Sequence, residues 1–387
     1  MTRGGQTPSR AAGISLVEVM IAMVIGLVLM LGVIQVFSAS REASQLAQGV
    51  ARVQENARFA LEFLQRDIRM AGHFGCANDQ SHVIRNQGDP AVRIAGVATG
   101  AGSPLDFSVS VQGYEAPSTA PGNSLKLGAS WTAPSGLPAA LQALNARGGS
   151  DILVLRYLSP VGVPVTSITP SANSTIGFDA TLGKRLTEDG VAQPRLFGIA
   201  DCSHADIFIG SYAAGSVTAS NAMLDRYNAQ PTGQTMIYRA ESIAYYVGTA
   251  ANGEPVLMRA RADNTGNYTT REELVEGIEN LQVLFGLDTS AAISATQYPT
   301  GNVTVQNVAS GVSTGNDATA AAQWLRVAQV QVGVLARSPE SASSRAPAAE
   351  VSDPRALGVR FAPGGNDGRY RAAYETTIAL RNRLFGN

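Results

Sequence analysis

The sequence predicts an α+β fold in which one long N-terminal helix packs against a mainly antiparallel β domain. Three observations support this prediction: an apolar run over 14–37, an apolar helical stripe that continues it, and short strand patterns after Gly72. We divide the 387 residues into a leader at 1–13, a membrane-spanning half-helix at 14–37, an amphipathic half-helix at 38–71, and a β-rich globular domain at 72–387.

The apolar run from Ile14 to Phe37 is long enough to span a membrane. At about 1.5 Å per helical residue it reaches about 36 Å, and a bilayer's hydrocarbon core is about 30 Å thick. No charged residue lies between Glu18 and Arg41. The run therefore predicts a single membrane-spanning helix.

The leader predicts how this helix is processed and oriented. A general secretory signal has small residues after its apolar core, whereas here Ala11, Ala12 and Gly13 come before it. Cleavage at that point leaves the helix on the mature protein. Arg3 and Arg10 are the only charges of the leader, so the positive-inside rule keeps it cytoplasmic and places the β domain in the periplasm.

Glu18 is the one acid inside the apolar run, and two interpretations of it stay open. A carboxylate at the centre of a bilayer costs about 2.5–3.5 kcal/mol, and less near the interface. In the first interpretation, Glu18 lies at the cytoplasmic interface and is solvated by headgroups. In the second, it pairs with a cation that arrives only in an assembly, such as a free amino terminus at Ile14 of a neighbouring subunit.

The helix is predicted to continue beyond the membrane. Apolar residues recur every three or four positions on one face. They are Leu46, Val50, Val53, Ala57, Ala60, Leu61, Leu64 and Ile68. No proline interrupts the stretch from Ile14 to Ala71, and Gly72 is a stop signal, so the predicted helix is about 87 Å long. Gly26 and Gly32 are its weakest points.

After Gly72 the pattern changes to strands and loops. The predicted strands contain Ile152–Leu155; Ile243, Tyr245 and Val247; Val256–Met258; Leu281, Val283 and Phe285; Val330, Val332 and Val334; and Tyr374, Thr376, Ile378 and Leu380. Asn252-Gly253 predicts a hairpin turn between the second and third of these strands. Three stretches, 98–149, 288–322 and 339–367, are predicted to be rich in loops.

Cys76 and Cys202 both follow the membrane span. In an oxidising, outward-facing compartment they are able to form one disulfide, which closes a long loop and contributes about 4–5 kcal/mol in the loop-entropy model. The alternative is two buried free thiols.

Composition and motifs argue against catalysis and ligand binding. The formal charge of −1 becomes −3 when a leader with two arginines is removed, and nothing resembles the basic patch of a nucleic-acid-binding protein. The three histidines show no metal-binding spacing, and the sequence contains no phosphate loop or nucleophile elbow. These histidines are His73, His82 and His204. We predict no catalytic residue, cofactor or metal.

Four polar or aromatic motifs are interpreted as structural. Residues 201–206 combine Asp, Cys, Ser and His, but adjacent side chains rarely converge on one ion or form a nucleophilic pair. Residues 263–267 lack the distal glutamate of a calcium loop and predict a turn. Residues 363–368 predict a loop before the last strand. The aromatic residues are predicted to lie in the core or on a sheet face: Tyr245, Tyr246 and Trp324.

The residues around the leader junction resemble the class III leader of type IV prepilins. The shared pattern is Gly13, a hydrophobic residue, Ser15-Leu16-Val17, and Glu18 before an unbroken apolar run. The resemblance implies that prepilin peptidase cleaves after Gly13 and methylates Ile14, and that Glu18 meets a neighbour's amino terminus in a filament. Ile14 departs from the usual phenylalanine. The implied fold is type IV pilin-like.

Three further stretches are similar to the PilW family of minor pilins: 54–76, 277–283 and 374–383, the second of them shared with J-type minor pseudopilins. The resemblance implies a subunit that primes or caps the type IV pilus and supports piliation, twitching motility and adhesion. The implied partners are prepilin peptidase, other minor pilins, the major pilin, a pilus tip adhesin, and membrane lipid before assembly. The subunit is expected first in the inner membrane and then in the filament or its tip.

Two other functions stay open. A J-type minor pseudopilin of a type II secretion system has the same anatomy. A membrane-anchored periplasmic enzyme or receptor would use the helix only as a tether.

Overall fold

The computed structural model describes residues 13–76, 92–95, 103–128, 136–289, 300–341, 353–362 and 367–383. Residues 1–12 of the predicted leader, His82, and residues 363–366 of the predicted last loop lie outside the described residues. Parts of the three loop-rich stretches also lie outside them.

The first element is the long helix α1, Leu16–Met70, of 55 residues. Its length is about 82 Å at the usual rise per residue. It begins two residues later than predicted, because Ser15 is extended and its N–H donates to Glu18 Oε2 at 3.1 Å. It ends one residue earlier, where Gly72 takes a φ of +74° that favours glycine. The prediction of one continuous helix is confirmed.

Eighteen strands and three short helices follow within the described residues. The largest sheet contains β1 Val92–Ala95, β2 Val111–Tyr114, β4 Ile152–Leu158, β5 Val163–Thr169, β6 Thr175–Phe178, β7 Leu196–Ala200, β8 Ala205–Ala213, β9 Ser216–Ala219, β10 Met236–Thr249, β11 Pro255–Ala262 and β12 Tyr268–Glu276. The second sheet contains β13 Ile278–Leu287, β14 Val305–Asn307, β15 Val327–Arg337 and β18 Arg371–Ala379. The third contains β3 Ser124–Lys126, β16 Arg355–Ala356 and β17 Val359–Ala362. The short helices are α2 Ala139–Gln142, α3 Ala309–Val312 and α4 Ala318–Trp324, with single 3₁₀ turns at Gly183–Leu186 and Arg381–Arg383.

The strands are antiparallel except where β1 pairs with β8 and β3 pairs with β17. In the second sheet the order is β14-β13-β15-β18. The 14-residue strand β10 connects the two halves of the largest sheet, because its beginning pairs with β5 and β7 and its end with β4 and β11. The predicted α+β fold with a mainly antiparallel β domain is confirmed.

All six strands predicted from alternation or from short apolar runs are present, in β4, β10, β11, β13, β15 and β18. The hairpin turn at Asn252-Gly253 is also present, with Gly253 at a φ of +82°. Treating the three stretches as loops was wrong in part. They contain β2, β3, β14, β16, β17 and all three short helices, elements of two to seven residues that are too short for a periodic pattern. The strands between β5 and β9 were not predicted.

The main core lies between one face of α1 and the strands of the first two sheets. The helix contributes five fully buried residues: Val53, Ala57, Ala60, Leu64 and Ile68. Tyr245 and Trp324 belong to this core, and Tyr246 faces a second core on the opposite side of β10. The three aromatic residues are therefore core residues, as predicted.

Cys76 and Cys202 are joined by a disulfide, with their Cα atoms 4.6 Å apart. The bridge connects the segment that follows α1 to the turn between β7 and β8. The same segment is held by two backbone hydrogen bonds to β4. Gly72 N–H donates to the Arg156 carbonyl at 3.1 Å, and Leu158 N–H donates to the His73 carbonyl at 2.8 Å. The end of α1 is thus fastened to the largest sheet.

Two neighbouring carboxyl groups, Glu115 and Asp151, lie where the first two sheets meet. Asp151 accepts hydrogen bonds from Ala116 N–H at 2.8 Å and from Val283 N–H at 2.9 Å, and Glu115 accepts one from the Thr119 hydroxyl at 2.9 Å. Burial raises the pKa of Glu115 to about 7. Burial and the nearby Glu115 carboxyl raise the pKa of Asp151 well above its usual range.

Replacing Glu115 with glutamine should change the pH dependence of stability. The folded protein holds the Glu115 proton more tightly than the unfolded chain does, so the free energy of unfolding falls as pH rises from about 4.5 to about 7. We expect Glu115→Gln to remove this decrease and to be more stable than wild type at pH 8 by about 2 kcal/mol. Urea unfolding of the detergent-solubilised chain at pH 5 and pH 8 measures this difference in the free energy of unfolding.

The exposed Glu62, replaced in the same way, is the matched control. If Glu115→Gln and Glu62→Gln show the same pH dependence as wild type, then Glu115 keeps an ordinary pKa and the account of this pair is wrong.

Candidate assembly site on the long helix

The N-terminal half of α1 has no contact that covers its apolar side chains. Every residue from Ile14 to Phe37 is exposed, and none of the most apolar 18-residue window is buried. Among the described residues, α1 is the one helix long and apolar enough to cross a membrane. Exposed apolar surface of this extent needs lipid or other protein to cover it. The helix therefore fits membrane anchoring.

Glu18 lies in the first turn of α1. Its carboxylate accepts the hydrogen bond from Ser15 N–H, one of the amide groups that a helix leaves unpaired at its start. The partial positive charge of a helix N-terminus also favours an acid at this position. One carboxylate oxygen makes this bond, and a carboxylate has further lone pairs for a second partner.

Gly26 and Gly32 lie in the exposed half of the helix. A Cβ atom added at either position would meet nothing within 4 Å. Neither glycine interrupts the helix in the single chain, and their role as packing notches or as sites of local unwinding stays a prediction.

The second half of α1 is anchored in the β domain by its apolar stripe. The stripe begins at Gly49, where Ser338–Ser341 lie against the helix, and not at Leu46 as predicted. Leu46 is 43% exposed, and Val50 is half-buried. The groove beside Ser338–Ser341 is also lined by Gln45 and Gln48, and the helix projects from the domain before this groove.

A buried acid, Asp67, interrupts the apolar stripe. It is only 5% exposed, and it accepts a hydrogen bond from the Tyr245 hydroxyl at 2.6 Å and one from Arg259 Nη1 at 3.2 Å. Burial and the Asp67 carboxylate together raise the pKa of Tyr245, which keeps its hydroxyl protonated as a donor. Sequence analysis missed Asp67, although its position on the stripe is a signal of a buried acid that needs a partner.

Arg259 connects Asp67 to a larger network of ion pairs. It also binds Glu272 of β12, through Nε at 3.0 Å and Nη2 at 2.7 Å. Glu272 in turn lies 3.2 Å from Arg261 Nη1, and Arg261 pairs with Glu241 of β10. The buried charge of α1 is thus neutralised by side chains from three adjacent strands.

Two asparagines fasten the helix at other points. Asn382, just after β18, donates from Nδ2 to the carbonyl oxygens of Arg69 and Ala71, both at 3.1 Å, which satisfies groups that the helix end leaves free. Asn56 Nδ2 donates to the carbonyl of Glu276 at the end of β12, at 3.0 Å. The C-terminal half of α1 and the β domain therefore form one unit.

The motifs weighed for metal binding form turns. Asp201 Oδ1 accepts from the N–H groups of Ser203 and His204, both at 2.7 Å. Asp263 Oδ1 accepts from the N–H groups of Thr265 and Asn267 at 2.8 and 3.0 Å. In the part of the chain that the structure describes, no three His, Cys, Asp or Glu side chains are grouped as a metal site.

Replacing Asp67 with alanine should destabilise the attachment of α1. The change leaves Arg259 without one buried partner and the Tyr245 hydroxyl with only the longer contact to the Phe63 carbonyl, at 3.4 Å, so we expect the free energy of unfolding to fall by about 3–5 kcal/mol. Chemical unfolding of the full chain in detergent measures this loss. Glu62→Ala, an exposed acid on the same helix, is the control. An equal, small effect of both changes would show that the Asp67 contacts contribute nothing.

Two family models match the chain. The prokaryotic N-terminal methylation motif matches residues 8–34, and the type IV pilus-assembly protein W (PilW) family matches residues 244–382. Comparison with curated proteins and with solved structures gives no match.

The match to the methylation motif contains Gly13, Ile14 and Glu18. The match to the PilW family contains Tyr245, Arg259, Asn382 and most of the surface on which α1 packs. The methylation motif implies processing by prepilin peptidase and assembly with other pilins, and pilin-family domains are structural proteins. Together the two matches support a type IV pilus-related pilin and are consistent with a minor pilin of the PilW family.

Proposed function

We propose that this minor pilin co-assembles with other minor pilins and the major pilin to prime or cap the type IV pilus, and so supports piliation, twitching motility and adhesion. The observation that carries the proposal is the helix α1. Its first half is uncovered and apolar, and its second half is fixed in the β domain. Such a helix leaves the membrane for a bundle of similar helices without exposing its apolar surface to water.

The first step in this proposal is removal of residues 1–13. Gly13 and Ile14 are exposed and lie before the first helical residue, Leu16, so the bond between them lies in an accessible, non-helical segment. Cleavage there by prepilin peptidase frees the amino group of Ile14, which is then methylated. Until assembly, lipid covers the helix and the β domain lies in the periplasm. Afterwards the subunit lies in the filament or at its tip, where a tip adhesin is a further partner.

In the assembled filament, Glu18 is proposed to pair with the methylated amino terminus of a neighbouring subunit. The carboxylate already accepts the Ser15 N–H and keeps lone pairs for an incoming cation. Among other apolar helices the local dielectric is low, so one unpaired charge costs several kcal/mol and one ion pair per subunit fixes the register of neighbouring helices.

The match to the PilW family supports the pilus over the alternative of a J-type pseudopilin in type II secretion. A strain that lacks the gene distinguishes the two, because loss of pili with normal secretion supports the pilus, and the reverse supports the pseudopilin. A membrane-tethered enzyme or receptor would leave both pili and secretion intact.

Replacing Glu18 with alanine should greatly reduce the number of pili. The variant keeps the apolar helix and loses the carboxylate that pairs with the neighbour, a loss of about 1.5–3 kcal/mol per contact and hence of at least about tenfold in assembly. Electron microscopy of cells that carry the variant in place of wild type gives the count, and twitching zones give the motility.

Glu55→Ala is the matched control, because Glu55 is an exposed acid on the same helix outside the apolar half. We expect this control to give wild-type pili. Normal piliation and twitching in the Glu18→Ala strain, with equal amounts of protein, would contradict the proposed role of Glu18.

A further inference from the structure

The two long edge strands of the β domain differ in their protection against pairing with another chain. Both β12 and β18 have nine residues and pair on one side only among the described strands. Natural edge strands avoid unwanted pairing through charges, prolines, bulges or short length. In β12 the pairing with β11 shifts register twice, and four charged residues lie along it: Arg271, Glu272, Glu273 and Glu276.

The edge of β18 has fewer of these features, since it contains two charged residues, Arg371 and Glu375. Its nine residues pair with β15 in consecutive register without a shift, and the strand contains neither proline nor glycine. Between Arg371 and Arg381 its one charged residue is Glu375. The Glu375 carboxylate accepts a hydrogen bond at 2.6 Å from the N–H of Leu357, which lies in the turn between β16 and β17. The Glu375 side chain therefore lies on the sheet face away from α1 and binds the turn there. The pairing is regular, and both charged side chains of the strand already have partners, Arg371 with Glu279 and Asp367 and Glu375 with Leu357 N–H.

The hydrogen bonds that flank the ladder show which backbone groups of β18 point outward. Leu380 N–H donates to the Ala328 carbonyl at 2.9 Å, and Ser338 N–H donates to the Tyr370 carbonyl at 2.8 Å. In an antiparallel pair, residues that exchange hydrogen bonds alternate with residues that do not. The even-numbered residues of β18 therefore bond to β15, and the odd-numbered residues, such as Thr377, direct their N–H and C=O groups to the outer edge, which pairs with no described strand.

The strand β18 lies alongside α1, the helix that the proposed function places among neighbouring subunits. At its start, β18 lies beside Ser338, which lines the same groove as Gly49 of α1. At its end, Asn382 binds the last turn of α1. The strand thus runs along the whole buried length of the helix. On the side that faces α1, Tyr374 is only partly buried and offers an aromatic surface beside the open backbone groups.

We propose that the outer edge of β18 binds an extended segment of a neighbouring pilin subunit in the same assembly, through main-chain hydrogen bonds that add a strand to the second sheet. This inference rests on the proposed function, because α1 brings neighbouring subunits to this side of the domain. Strand addition takes its affinity from backbone groups and its selectivity from side chains, and here the partly exposed Tyr374 contributes to the latter.

The test replaces Thr377 with proline in the full chain, expressed in a strain that lacks the gene. Proline removes the outward N–H and leaves the ladder to β15 intact, since an edge strand tolerates proline where its N–H faces solvent. Thr377→Val keeps the N–H and a β-branched side chain, and is the matched control. We expect Thr377→Pro to give about tenfold fewer pili than Thr377→Val, at equal protein amount and with the Cys76–Cys202 disulfide formed.

Suppose that deleting the gene removes the pili and that the Thr377→Pro variant restores them to the wild-type number. This result overturns the edge proposal and leaves the proposed function standing. If the deletion itself leaves pili intact, the proposed function fails and the edge proposal fails with it.

Hydrogen exchange of the purified full chain in detergent supplies a second readout that does not depend on the variant. The Thr377 amide should exchange much faster than the Thr376 amide. Equally slow exchange would show that the chain itself or a second copy covers this edge, and would overturn the proposal.

Discussion

The structure depends on one long helix that must satisfy two different environments. The second half of α1 buries an apolar stripe in the β domain, and the buried acid in this stripe, Asp67, is neutralised by Tyr245 and Arg259. The first half buries nothing within the chain. Because helical hydrogen bonds are continuous through both halves, neither half moves independently of the other without breaking the helix. Any change of environment for the apolar half therefore moves the β domain with it.

This constraint explains how the remaining contacts are placed. The disulfide, the backbone bonds of Gly72 and His73, and the amide of Asn382 all fasten the end of the helix within a few residues of its last turn. Asn56 and the groove beside Gly49 hold it at the other end of the buried stretch. The helix is thus supported at both ends of its packed half, and its free half projects as a rigid extension. In a membrane this extension is an anchor, and in the proposed filament it is the assembly element, with Glu18 as its one charge.

The features that sequence analysis predicted well are those with a long period or a strong local signal. The continuous helix, its end at Gly72, the Asn252-Gly253 hairpin and the six strands with alternation or a short apolar run all follow from local chemistry. Among the strands from β5 to β9, β7 and the first part of β8 are buried on both faces, which removes the alternation. The strands β6 and β9 have only four residues each, too few for a periodic pattern. Leu46 was placed in the packed stripe because periodicity shows which face is apolar and does not show where the partner surface begins. Asp67 was missed although its position on the apolar stripe signals a buried acid, and its partners, Tyr245 and Arg259, come from distant strands that no local pattern identifies.

The central claim is that the mature chain begins at Ile14 and enters the pilus with its whole helix. Mass spectrometry of sheared, purified pili tests this claim most directly. The account predicts a tryptic peptide that starts at methylated Ile14 and ends at Arg41 in the pilus fraction, with no peptide from residues 1–13. Recovery of the protein in the membrane fraction alone, with its leader retained and Ile14 unmethylated, would contradict it.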